Sequence, residues 1–240
     1  RFRDDKNILA VLAAVIIIIF FIPYTASGFA ACGKLFSSLF GMNYMTAMII
    51  SAVVIVAYTT AGGFFAASAT DFVQSIIMTV AIVFVLVFST ISAGGIDAVV
   101  ENAKALPGYL SLTASYIEDT GKSEPYNLLH IITTLSWGLG YFGMPHILLR
   151  FMAIEDEKKL KLSRRVASVW VVIAMAMAVL IGIVGRALSN TGLVDQLHGN
   201  DTETIIVRVA HLLSTYGAFP AIMAGLILAG ILASTMSTAD

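Results

Sequence analysis

Six stretches of this chain, at about residues 8–32, 44–61, 70–93, 127–149, 166–188 and 217–238, are apolar over nearly their whole length. An α-helix needs about 20 such residues to cross a hydrocarbon core of roughly 30 Å. In lipid, the only segments that satisfy every backbone amide and carbonyl are helices and closed barrels, and runs of this length read as helices. Composition rules out burial inside a soluble globule. Of the 240 residues, 58% are hydrophobic and only 12% are charged, against about a quarter charged in an ordinary soluble domain. The expected fold class is an all-α integral membrane protein with six transmembrane helices, forming a single domain over residues 1–240.

Charge sets the expected orientation, because Lys and Arg in short loops favour the cytoplasmic side. With the N-terminal end inside, Arg1, Arg3 and Lys6 share that side with Arg150, Lys158, Lys159, Lys161, Arg164 and Arg165 of the loop 150–165, nine of the 14 basic residues. Lys34, Lys104, Lys122, Arg186 and Arg208 fall on the outer connections, diluted there by acids such as Asp97, Glu118, Asp119, Asp201 and Glu203. An even number of spans returns the C-terminal end to the cytoplasm, so the chain is expected to be multi-pass in the plasma or inner membrane with both ends inside. The basic residues form no continuous face, which argues against a nucleic-acid partner. The single cysteine, Cys32, excludes an intrachain disulfide framework and a cysteine-based zinc cluster. Arg1 in place of an initiator Met, and an apolar pattern running almost to Asp240, make the sequence read as an internal stretch of a longer chain.

Two connections carry structure of their own. The outer loop 94–126 holds a short amphipathic stretch around Ile96 to Leu106, and the segment from Thr202 to Leu213 spaces Ile205, Ile206, Val209, Leu212 and Leu213 as a helix, with Asp201 as its cap. Pro23 is expected to kink the first span, and Pro220 to sit harmlessly in the first turn of the last.

Chemistry is concentrated at three places. The fourth span contains Trp137-Gly138-Leu139-Gly140-Tyr141-Phe142-Gly143-Met144-Pro145-His146, and three glycines and a proline in so short a stretch should break the helix. Broken helices persist in membranes where the freed backbone lines a cavity, and in secondary transporters that is where substrate and ion bind; close packing through small residues is the other reading. Trp137 and Tyr141, four residues apart, share one face, and each has a polar handle. The sixth span ends in Ser234-Thr235-Met236-Ser237-Thr238. Its spacing lets the Ser234 carbonyl and the Ser237 and Thr238 hydroxyls converge, a set of oxygens suited to a hard cation such as sodium, although such hydroxyls also bond back to their own helix. Asp71 opens the third span three residues before Gln74. An acid at membrane depth is a functional candidate, yet the same pair reads as a capping box. The four histidines form no constellation, and no catalytic triad, carboxylate pair, phosphate loop or metal-ligand spacing stands in the sequence, so no enzyme and no organic cofactor are expected.

The run from Gly138 to Ala153, GLGYFGMPHILLRFMA, resembles the signature of the sodium:solute symporter family in its proline-transporting branch. Gly62-Gly63-Phe64-Phe65-Ala66 with Thr70-Asp71 and Gln74 resembles a second motif of that family, and Tyr24-Thr25-Ala26-Ser27-Gly28 and Met236-Ser237-Thr238 continue the likeness in order. The resemblance implies a five-plus-five inverted-repeat transporter fold, of which the six spans would be core helices three to eight and the remaining helices would be partners from the same chain. It implies sodium-coupled uptake of L-proline by alternating access. Sodium ligands would fall on Ser234, Ser237 and Thr238, the ion-coupling acid on Asp71, and residues that bind or gate the solute on Tyr24, Trp137, Tyr141 and Pro145. Ala69 and Met144 depart from residues common in the family. A different small amino acid or carboxylate as solute, or a membrane sensory domain of the same fold joined to a signalling module, are the alternatives.

Overall fold

The computed structural model describes residues 7–117 and 120–239; Arg1, Arg3, Lys6, Glu118 and Asp119, used above for orientation, lie outside the described residues. The chain divides into two compact units, Arg1–Val87 with Gly192–Asp240, and Phe88–Thr191.

In the first unit, α1 spans Ile8–Phe40 and continues helically through Pro23. It ends at Gly41, whose φ of 64° favours glycine and whose amide donates to the Ser37 carbonyl at 3.0 Å. Asn43 then opens α2 (Tyr44–Ser92): its Oδ1 accepts the Met45 amide at 3.0 Å. Gly33 lets the two helices close on each other, since a Cβ there would lie 2.9 Å from the Tyr44 ring. Most large apolar side chains between Ile8 and Ile22 are exposed within the unit, as expected of a helix that faces lipid or further apolar elements.

The 49 residues of α2 would stretch to about 74 Å at 1.5 Å per residue, more than twice a hydrocarbon core. The helix is broken at Gly63, with φ 58° and ψ −161°, a conformation essentially restricted to glycine that costs other residues about 1–3 kcal/mol. Among the described residues, none beyond its chain neighbours comes within 4 Å of a Cβ placed there, so the penalty for a side chain is conformational. Gly63→Ala is therefore expected to destabilise the protein by about that amount, read as a lower thermal midpoint in detergent. An unchanged midpoint would show that the backbone at residue 63 is not held in this conformation.

A 3₁₀ turn at Gly199–Thr204 leads into α7 (Ile205–Ser214), followed by α8 (Ala218–Ala239) with Pro220 in its first turn. Asp201 lies inside the 3₁₀ turn and does not cap the helix, which begins at Ile205. Cys32 and Leu35 of α1, Val209, Ala210 and Leu213 of α7, and Ile227 and Ala233 of α8 are buried. Cys32 shares a side-chain hydrogen bond with Thr235, and Lys34 forms a salt bridge with Glu203. That pair brings the C-terminal part of α1 and the approach to α7 to the same end of the unit.

The second unit holds α3 (Ile96–Lys104), which packs against α6 (Leu160–Asn190). Val99 and Ala103 of α3, and Ile181, Val184, Ala187 and Leu188 of α6, are buried. Between α3 and α4 (Leu128–Gly140) lies a hairpin absent from the sequence reading: β1 (Ala114–Ile117) pairs antiparallel with β2 (Lys122–Pro125), Ala114 opposite Pro125. The second strand reads Lys-Ser-Glu-Pro and is wholly exposed, so it carries no apolar alternation to announce it. Arg186 of α6 lies 5.9 Å from the Tyr109 ring and 5.5 Å from that of Tyr116, cation–π geometry that ties the loop between α3 and α4 to the helix. After α4 comes one turn of 3₁₀ helix, Tyr141–Gly143, and then α5 (Pro145–Met152).

Among the described residues, four helical runs are long and apolar enough to cross a membrane: Ile8–Phe40, Tyr44–Ser92, Glu157–Asn190 and Ala218–Thr238. The stretches 44–61 and 70–93 both fall within the second of these, and the stretch 127–149 is divided between α4 and α5.

Candidate functional site

Ser234, Ser237 and Thr238 occupy the end of α8. Ser237 Oγ donates to the Ser234 carbonyl at 3.1 Å, and Thr238 Oγ1 donates to the same carbonyl at 2.9 Å. Each hydroxyl has one proton and two lone pairs, so directing both protons at one carbonyl leaves the lone pairs of both oxygens facing outward. This is the back-bond common in membrane helices: it fixes the two rotamers and leaves lone pairs on the hydroxyl oxygens, while the Ser234 carbonyl accepts both protons. Thr235, between them, donates to the Leu232 carbonyl at 2.8 Å and also meets Cys32 of α1.

Facing α8 is the second half of α2. A Cβ on Gly230 would lie 2.6 Å from that of Ala81 and 3.7 Å from the Met78 Cα, so the two backbones meet here almost without intervening side chains. A cavity of about 140 Å³ beside this contact is lined by Met78, Ala81 and Val85 from α2 and by Ile227, Gly230 and Ser234 from α8, among others. Asp71, Gln74, Met78, Ala81 and Val85 recur at spacings of three and four, which puts them on one stripe of the helix.

Asp71 is half-buried and lies inside α2, seven residues past Phe64, where helical geometry resumes after Gly63. The capping-box reading of Asp71 and Gln74 therefore fails: the helix begins two turns earlier. Gln74 Oε1 is buried and accepts no hydrogen bond from any described residue. In the sequence Gln74 stands as a cap partner and a motif member, and the stronger signal is an amide at membrane depth. Tyr24 lies in α1, its carbonyl accepting the Ser27 hydroxyl at 2.6 Å and its ring 5.6 Å from that of Phe21. It precedes Cys32 by eight residues, about 12 Å along the helix.

Trp137, Tyr141 and Pro145 belong to the second unit. Proline disfavours helical geometry in the residue before it, and Met144 is extended, with φ −67° and ψ 117°. Pro145 then takes the first position of α5, where its missing N–H is not needed. Trp137 is 72% exposed and Tyr141 52%, so both aromatic faces, one turn apart, are open beside the interruption. Of the eight candidates, Ser234, Ser237 and Thr238 are brought into direct contact, Asp71 lies on the α2 stripe that meets α8, and Tyr24 is set apart from Cys32 along α1.

A sequence model of the sodium:solute symporter family matches residues 1–240. Among curated proteins, the chain is 37% identical over 238 residues to sodium/proline symporter 2 of Staphylococcus saprophyticus, covering 99% of the chain and 43% of that protein. It is 37% identical over 243 residues to the sodium/proline symporter of Escherichia coli, covering 99% of the chain and 45% of that protein. The Staphylococcus aureus sodium/proline symporter is 36% identical over 238 residues, at 99% and 43% coverage. The chain thus spans less than half the length of these relatives. No solved structure matches it.

Proposed function

The chain belongs to the sodium:solute symporter family, and on that footing we propose that it is the central part of a multi-pass membrane transporter that couples sodium entry to uptake of L-proline by alternating access. The observation that carries this reading is the convergence of the Ser237 and Thr238 hydroxyls on the Ser234 carbonyl, a hard-oxygen cluster at the end of a membrane helix. In this proposal those three oxygens hold sodium and Asp71 couples the ion to conformational change. Tyr24, Trp137, Tyr141 and Pro145 form or gate the solute site, where exposed aromatic rings cover the apolar ring of proline and the interrupted helix meets its charges.

The same reading treats α2 as two crossings separated at Gly63, since residues 44–62 and 64–92 are each long enough to span the core. With α4 and α5 as one interrupted crossing, the spans number six and correspond to core helices three to eight of a five-plus-five repeat, both ends of the chain facing the cytoplasm. Missing core helices supply the rest of both sites.

The test is labelled L-proline uptake into proteoliposomes carrying the full-length protein, with and without an inward sodium gradient. Uptake is expected only with the gradient, and Trp137→Ala is expected to raise the proline concentration for half-maximal uptake about tenfold, the ~1.4 kcal/mol of an aromatic wall, with its sodium dependence unchanged. No proline uptake by folded protein would redirect the proposal to other small zwitterions or carboxylates.

A further inference from the structure

Among the described residues, Gln74 is a buried polar side chain that the proposed site leaves unused. It lies within a long apolar helix, and its Oε1 is buried without a hydrogen-bond donor among the described residues. An orphaned buried acceptor costs about 1–3 kcal/mol, and in hydrocarbon there is no water to relieve it. Such an atom calls for a partner that comes and goes.

Its position says what that partner is. The contact of Gly230 with Ala81, Met78 and Ile77 fixes where α2 and α8 meet. With the spans alternating in direction, as proposed above, these two helices run antiparallel. Moving one to two turns from Gly230 towards the end of α8 reaches Ser234, Ser237 and Thr238; the matching step along the facing stripe of α2 reaches Gln74 and then Asp71. Gln74 therefore stands on the α8-facing stripe between the helix contact and Asp71, one turn from the contact at about the level of Ser234, with Asp71 a turn further on at about the level of the two hydroxyls. Neutral carbonyl oxygens are ordinary ligands of hard cations.

We infer that Gln74 is a further sodium ligand, lending its side-chain carbonyl to the cation on the path between the Ser237 and Thr238 hydroxyls and Asp71. This inference rests on the proposed sodium-coupled reading.

The experiment is a sodium titration of proline binding to the full-length protein in nanodiscs, with thermal unfolding measured in parallel without sodium. Gln74→Met keeps the length of the side chain and removes the carbonyl. It is expected to raise the half-saturating sodium concentration at least about tenfold, to leave proline affinity at saturating sodium within about twofold, and to leave the sodium-free thermal midpoint unchanged or higher, because the orphaned acceptor is gone. Gln74→Glu, which restores an oxygen, is expected to return the sodium requirement to within about threefold of wild type. An unchanged sodium requirement in Gln74→Met, a lower midpoint with unchanged sodium response, or a Glu variant no better than Met would overturn the assignment. If wild-type protein binds proline with no response to sodium, the reading beneath it falls first, and that outcome is distinct from failure of the variants alone.

Discussion

Gly230→Ala is expected to lower the thermal stability of the protein, by about 1–3 kcal/mol as overpacked core substitutions do, and Ala81→Gly in the same chain is expected to restore most of the loss. The sign is what makes the result informative. At an ordinary helical position, glycine to alanine stabilises by about 1 kcal/mol, and Gly230 has helical geometry with no positive φ to defend. Here the new Cβ would sit 2.6 Å from the Ala81 Cβ and 3.6 Å from the Ile77 carbonyl oxygen, where carbon atoms prefer about 3.5–4.0 Å. Neither neighbour is a flexible side-chain end that can swing aside, so the helices must separate, and the contacts on either side of the crossing weaken with them. Gly230→Leu is expected to prevent stable assembly altogether. The single and double variants make a double-mutant cycle, read as thermal midpoints of purified protein. Gly230→Ala that matches or exceeds wild type would mean that α2 and α8 do not meet here, and the alignment of Gln74 with Ser234 would go with it.

How far the sequence could be read depends on which force places each element. Apolar length alone locates α1, α6 and α8, because a lipid-facing helix needs little beyond enough hydrophobic residues. The division near 62–63 is legible as Gly62-Gly63, but its form is not, since a break made by one residue in a glycine-only conformation leaves helical periodicity intact on both sides. Asp71 and Gln74 look like a cap only if the helix starts at residue 70; it resumes at residue 64. The meeting of the stripe they share with α8 is made by Gly230 against Ala81, a contact 149 residues apart in sequence that no local pattern encodes. The oxygen cluster at Ser234, Ser237 and Thr238 was legible for the opposite reason: its geometry is fixed by i to i+3 and i to i+4 spacing within one helix.

That locality gives the largest functional effect expected of any change in the chain. Replacing Ser237 by Ala and Thr238 by Val together is expected to raise the half-saturating sodium concentration for proline binding at least about a hundredfold, and each single change about tenfold, taking each lost charge–dipole contact as worth about 1.4 kcal/mol or more. Proline affinity measured at saturating sodium should move by less than about threefold, because the hydroxyls reach the solute only through the ion, and the coupling between the two ligands is reciprocal. The sodium-free thermal midpoint should barely change. Among the described residues both hydroxyls bond only to the Ser234 carbonyl of their own helix, and Ser or Thr back-bonds of this type contribute little to helix stability. If the hydroxyls served packing alone, the pattern would invert, with the midpoint falling and the sodium requirement unmoved. Thr238→Ser supplies the control: it keeps the oxygen and removes a methyl group, so it should retain wild-type sodium dependence if the lone pairs are what the ion uses.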